Sequence, residues 1–129
     1  MIAVDTNLLV KLLTKDDPNQ AKRAAKILES DVIFIPKTVM LETEWVLRHA
    51  YGINKDAIMK GFQKIMGLPN VRVEDQQTVF QAISWYELGL DFADALHLAS
   101  SMKADKFVTF DNEFIKKARK LISIDITLP

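Results

Sequence analysis

The chain has no cysteine, which excludes disulfides, thiolate zinc sites and cysteine nucleophiles and suits a reducing compartment. It has no run of about eighteen apolar residues, and no basic stretch followed by an apolar one opens it, so neither a membrane span nor a secretory signal is expected. A cytoplasmic location is the expectation. Glycine is scarce, with four in 129 residues. None belongs to a Gly-x-Gly-x-x-Gly fingerprint, a Walker-type phosphate loop or a Gly-x-Ser-x-Gly elbow, which disfavours dinucleotide enzymes, NTPases and serine hydrolases. The two histidines, His49 and His97, lack a partner at metal-ligand spacing and read as ordinary helical residues. An excess of charge is missing too, since 17 basic side chains balance 17 acidic ones, unlike a protein that coats nucleic acid constitutively.

What remains is enough apolar material, 49% of the residues, for a single domain over residues 1–129. Short β-branched or aromatic runs mark strands at Ile2-Ala3-Val4, Val32 to Ile35, Val71 to Val73 and Lys106 to Thr109, with a weaker fifth from Ile122 to Thr127. Helical patterns fill the intervals. A short helix follows Thr6-Asn7-Leu8, and Asp17-Pro18 caps a second from Asn19 to Ser30. A third opens at Pro36 to Thr38 and ends at Gly52. Asn54 caps Lys55 to Met66, Gln76 to Leu88 stops at Gly89, and the last two run from Asp91 to Lys103 and from Asp111 to Lys120. Strands alternating with helices predict an α/β fold, a small, mostly parallel sheet of four to five strands flanked by about seven helices.

In such folds ligands collect beyond the carboxyl ends of the strands. Asp5 follows the first strand and Asp111 follows Phe107-Val108-Thr109, so both are strand-end acids, although each could serve only as a helix cap. Glu42 lies in the third helix, beside a face suggested by Val39, Trp45, Val46 and Ala50. Glu44 points elsewhere around that helix and reads as a solvated surface acid. Asp94 lies in a helix otherwise built of alanine, leucine and phenylalanine, with Asp91, Ala95 and Leu98 as its nearest helical neighbours, where aspartate is a mediocre helix former and burial costs its charge dearly; a buried ion pair is the alternative. Asp91 reads as that helix's cap. Trp45, Trp85, Phe62, Phe80 and Phe92, at helical spacings, read as core.

Four segments in order, Ile2-Ala3-Val4-Asp5-Thr6-Asn7, Thr38-Val39-Met40-Leu41-Glu42, Asp91 to Ala99 and Val108-Thr109-Phe110-Asp111, resemble those of PIN-domain nucleases. They most closely resemble the VapC-type toxins of toxin–antitoxin pairs. Each segment alone is weak, but four in order over essentially the whole chain are fairly specific. The resemblance implies a PIN fold, endoribonuclease activity that depends on Mg²⁺ or Mn²⁺, and a cognate antitoxin as partner. Residue by residue it matches Asp5, Glu42, Asp94 and Asp111 to the family's acidic quartet, and Thr6 and Asn7 to its accompanying polar positions. Asp91 leaves the third acid slightly ambiguous, and Asp94 fits the motif better.

The chemistry of the grouping agrees with that reading. Carboxylates gathered at neutral pH raise one another's proton affinity, and a divalent cation relieves the repulsion. Asp5, Asp94 and Asp111 are the expected metal ligands, with Glu42 orienting or deprotonating the attacking water and Asp91 and Thr109 as supporting polar groups. With the four acids neutralised, the rest of the chain carries a surplus of four positive charges. Candidate RNA contacts are the run Lys116-Lys117-Ala118-Arg119-Lys120 above all, with Lys116 and Lys117 its leading members, then Lys11, Lys15, the Lys22-Arg23-Lys26 edge and Arg48. A homodimer is expected from the number of amphipathic helices. Two rival classes stay open: an aspartate-nucleophile phosphatase or phosphotransferase, weakened because Asn7 stands where a second aspartate is wanted, and a non-catalytic metal-binding regulatory module.

Overall fold

The computed structural model describes residues 1–129, with twelve elements grouped in two compact units, Met1–Gln76 and Gln77–Pro129.

The first unit contains β1 (Ile2–Ala3), α1 (Thr6–Thr14), α2 (Pro18–Ser30), β2 (Ile33–Ile35), α3 (Lys37–His49), α4 (Lys55–Met66) and β3 (Val71–Val73). Its strands pair in parallel in the order β1-β2-β3, with Ile2 opposite Ile33 and Ile33 opposite Val71. Each parallel step is bridged by two helices, which carries the chain back to the starting edge of the sheet. The helix boundaries follow from local chemistry. Asp17 accepts the Asn19 and Gln20 N–H groups with Pro18 at the first helical position, and Asn54 accepts the Ala57 N–H. Leu9, Ile33, Ile35, Met40, Leu47, Ile58 and Phe62 form the fully buried centre. A Cβ at Gly61 of α4 would stand 3.0 Å from the Leu13 Cδ2, so the tip of that leucine would have to give way to any larger residue. Elsewhere these helices leave an open apolar cleft of about 1460 Å³, lined by Leu12, Leu13, Leu28, Ile58 and Leu68 among others.

The second unit contains most of α5 (Gln76–Glu87), then α6 (Phe92–Ala99), β4 (Lys106–Val108), α7 (Asn112–Arg119) and β5 (Asp125–Thr127). Gly89, at φ +116, supplies the left-handed turn after α5. Val79, Trp85, Tyr86, Phe92, Leu98 and Ile126 are buried, with Tyr86 and Phe92 edge to face at 5.2 Å. Strands β4 and β5 pair in parallel, and the Arg119 guanidinium donates twice to the Ile126 carbonyl, at 2.9 and 3.1 Å, latching α7 to β5.

The expected α/β fold with parallel strands and seven helices is present, its five strands paired as three and two. No helix is long and apolar enough to cross a membrane. Four expectations are corrected. Glu44 is 1% exposed rather than solvated, because the buried stripe of α3 runs through Met40, Thr43, Glu44 and Leu47. Trp45, next in sequence to that stripe, is 57% exposed and lies against the His49 ring at 4.9 Å. Phe80 is 47% exposed because the buried positions of α5 are Val79, Ala82, Ile83, Trp85 and Tyr86. Finally, α6 stops at Ala99 instead of reaching Lys103: the Ser101 N–H turns to the Leu98 carbonyl at 2.9 Å, and the Ser101 hydroxyl takes, at 2.7 Å, the His97 carbonyl that a continuing helix would have given to that N–H.

Candidate active site

The acidic quartet is divided two and two between the units. In the first, β1 releases the chain at Asp5, whose extended backbone makes it the N-cap of α1. Its carboxylate accepts the Leu8 N–H at 3.2 Å through one oxygen and leaves the other available. Thr6, buried at the start of α1, donates its hydroxyl to the Glu42 carboxylate, 36 residues further along. That bond joins the outlets of two neighbouring parallel strands, β1 and β2. Helix α3, which carries Glu42, has no side-chain cap of its own. Its first N–H, from Lys37, is instead accepted by Glu74 at 2.9 Å, and the Lys37 ammonium meets Asp75 at 3.4 Å. Residues just beyond β3 therefore fix the start of α3, and with it the height at which Glu42 leaves the helix. Asn7 is exposed in the first turn of α1.

In the second unit, Asp111 caps α7 and accepts the Phe114 N–H at 3.0 Å. Thr109 holds this turn from both sides, its N–H bonded to the Thr127 carbonyl at 3.0 Å and its hydroxyl accepting the Asp111 N–H at 3.1 Å. Asp91 caps α6, accepting the N–H of Asp94. Asp94 itself is partly buried, forms none of the chain's ion pairs, and has its proton affinity raised. Burial is the largest cause, followed by the negative charges of Asp91 and Asp111; His97 and Lys117 oppose the shift. Lys117 thus stands within electrostatic reach of Asp94, while Lys116 is simply exposed.

Both strand-end aspartates are therefore caps, and the cap bond occupies one oxygen of each. In neither unit do three acidic or histidine side chains close around a single point as a finished metal cage. The donor set still suits a hard divalent cation that keeps much of its water. It is all carboxylate oxygen, and Asp94 is destabilised as an anion first by burial and then by the Asp91 and Asp111 charges, which such a cation would offset.

Some features had no signal in the sequence. The Thr6 to Glu42 bond links positions that no local spacing relates. The pairing of Glu44 with Arg48, at 2.8 Å, was signalled only by their separation of four residues, and it withdraws Arg48 from the candidate RNA contacts. Lys11 is withdrawn in the same way by Asp16, at 3.3 Å.

Among solved structures, the chain is similar to Mycobacterium tuberculosis VapC20, a toxin described as cleaving the sarcin-ricin loop. The identity is 24%, the match covers 90% of this chain and 94% of that one, and the TM-score of 0.45 is too low to carry an argument. None of the curated proteins matches. The PIN domain pattern, by contrast, matches residues 2–120, which takes in all four acids together with the elements that hold them. On that match this chain belongs to the PIN-domain family.

Proposed function

We propose that this chain is a metal-dependent endoribonuclease that hydrolyses RNA phosphodiester bonds and acts as the toxin of a toxin–antitoxin pair. The observation that carries the reading is the condition of Asp94, an acid set into an apolar helix, with no cation paired to it and with two further acids acting on it. A purely structural acid in that place is expected to have a partner, as Glu44 does. Membership of the PIN family and the segment-by-segment resemblance to VapC-type toxins support the same conclusion. The family match runs through both compact units, which supports one functional domain over residues 1–129.

On this reading Asp5, Asp94 and Asp111 would hold a Mg²⁺ or Mn²⁺ ion. When bound, the cation supplies charge for the scissile phosphate and acidifies a water molecule. Glu42, steadied by the Thr6 hydroxyl, orients the attacking water and accepts its proton. The cap bonds of Asp5 and Asp111 fix their carboxylates in advance, so little reorganisation is needed when the ion arrives. Lys117 contributes positive charge beside Asp94 for the RNA backbone. A cytoplasmic location, an antitoxin partner and a homodimer belong to the same reading, and the open apolar cleft of the first unit supports a protein partner of some kind.

The test is RNA cleavage by the purified full chain with Mg²⁺ or Mn²⁺, beside Asp5→Asn. Products are expected to carry 5′-phosphate and 3′-hydroxyl ends. Ends bearing a 2′,3′-cyclic phosphate would instead indicate attack by the RNA's own 2′-hydroxyl and would sink the mechanism. Growth arrest on expression, relieved by the product of the neighbouring reading frame and abolished by Asp94→Asn, tests the toxin role.

A further inference from the structure

The seam between α1 and α2 holds a groove of about 770 Å³ that the acidic residues do not account for. Asn7 and Leu8 line it from α1, two and three residues after Asp5, whose carboxylate holds the Leu8 N–H. Gln20, Arg23, Lys26 and Ile27 line it from α2. Only Lys15, Asp16 and Asp17 separate the two helices, so they run antiparallel. Lys26 accordingly lies toward the Asn7 end and Arg23 toward the far end.

The cations of this groove are not equivalent. Lys11 also lines it, but its ammonium is taken by Asp16, which accepts from the Thr14 and Tyr51 hydroxyls as well. Arg23 and Lys26 are exposed and enter none of the chain's ion pairs. They stand one helical turn apart, with side chains about 5–6 Å from each other at their bases. Lys22, grouped with Arg23 and Lys26 as an RNA contact by sequence alone, has the same charge on the same helix but does not line the groove, which takes it out of that group.

Two unpaired cations in succession, with an amide side chain toward each end, match a repeating anion whose charges are evenly spaced. The apolar content is too small for the partner of an amphipathic helix, which wants anchors at several successive turns. Here there are Leu8, Ile27 and the small Ala24. We propose that the α1–α2 groove is a track for the RNA phosphate backbone. Arg23 and Lys26 pair with neighbouring phosphates, Asn7 and Gln20 hydrogen-bond the backbone, and Leu8 and Ile27 form a floor for the sugars. The assignment rests on the ribonuclease reading above, because Asn7 brings the track to within two residues of Asp5.

The experiment reads binding apart from cleavage. The full chain is titrated into a fluorescein-labelled, mixed-sequence single-stranded RNA in EDTA, and anisotropy is followed across a salt series. Arg23→Glu and Lys26→Glu are each expected to weaken binding about tenfold at low salt and to reduce the slope of log affinity against log salt by about 0.7. Lys22→Glu, on the same helix, is expected to change affinity by less than about twofold. With Mn²⁺ present the two groove variants are expected to raise KM and leave kcat unchanged. Equal weakening by Lys22→Glu overturns the track. Unchanged binding by both groove variants overturns it too, and leaves the groove to an acidic protein segment. A chain that binds RNA through this groove yet cuts none with any divalent cation keeps the track and removes the nuclease reading. Cleavage indifferent to both groove variants does the reverse.

Discussion

Helices α3 and α6 each set a carboxylate into a largely apolar segment, and they dispose of its charge in opposite ways. Glu44 in α3 is 1% exposed and meets the Arg48 guanidinium at 2.8 Å, one turn along the same helix. Asp94 in α6 is partly buried on a helix whose Phe92, Ala95 and Leu98 are buried, and the charges that act on it most strongly are those of Asp91 and Asp111. Burial of an acid is common to both helices, so burial does not mark a site. The informative difference is compensation: Glu44 has a guanidinium of its own helix at 2.8 Å, whereas His97 and Lys117 only partly offset the burial and negative charges that act on Asp94, an offset that a cation from outside the chain would complete on the proposed reading.

Exchanging the two acids for their amides gives the largest contrast. Asp94→Asn is expected to lower kcat/KM for RNA cleavage by about 10³-fold with the fold intact. Glu44→Gln is expected to change activity per folded molecule by less than about twofold, while lowering stability. The comparison breaks if the two activity effects are alike.

A second contrast concerns stability. Arg48→Ala strands a buried carboxylate and is expected to cost about 2–4 kcal/mol in urea unfolding, somewhat under the figure for a fully buried pair because Arg48 remains partly exposed. Replacing both partners with apolar residues, Glu44→Leu with Arg48→Met, is expected to recover most of that loss. No comparable loss is expected from Asp94→Asn.

Smaller effects appear in the melting temperature. Mn²⁺ at neutral pH is expected to raise that of the unaltered chain by about 2–4 °C and that of Asp94→Asn by less than about 1 °C. The pH dependence carries a sign. The folded state holds the Asp94 proton more tightly than the unfolded chain does, so stability from this residue falls as pH rises from the ordinary carboxylate value through the raised folded one. Without metal, Asp94→Asn should therefore melt slightly above the unaltered chain at neutral pH and match it in acid.

Asp16 supplies the opposite case and the smallest effect. Hydrogen bonds from Thr14, Tyr51 and Lys11 hold its carboxyl below the usual range. Its contribution is present above the ordinary carboxylate value and lost as pH falls through the lowered folded one. Asp16→Asn should lower the melting temperature slightly at neutral pH, with the difference vanishing in acid.

The parts of this fold that could be read from the sequence are those fixed within a few residues. Asp17-Pro18, Asn54 and Gly89 delimit helices through bonds and backbone angles that the residue types themselves dictate. Asp5 and Asp111 were legible for the same reason, as acids at the ends of apolar strands. Periodicity was less reliable about which side of a helix faces inward. In α3 an acid could occupy the buried stripe because Arg48 lay one turn away, and this turned Trp45 outward. The Thr6 to Glu42 bond and the Glu74 support of α3 join segments far apart along the chain, and only folded coordinates reveal them.

The strands of both sheets are two or three residues long, on the order of 10 Å of extended backbone at most. Ladders so brief cannot set their own alignment. A slip by one position would turn Ile33 and Ile35 from the interior toward water, so their burial holds the register. Assembly should accordingly begin with the local α1–α2 hairpin and finish with strand pairing. In pulsed hydrogen exchange during refolding, amides of α1 and α2 should gain protection before those of Ile33 and Val71.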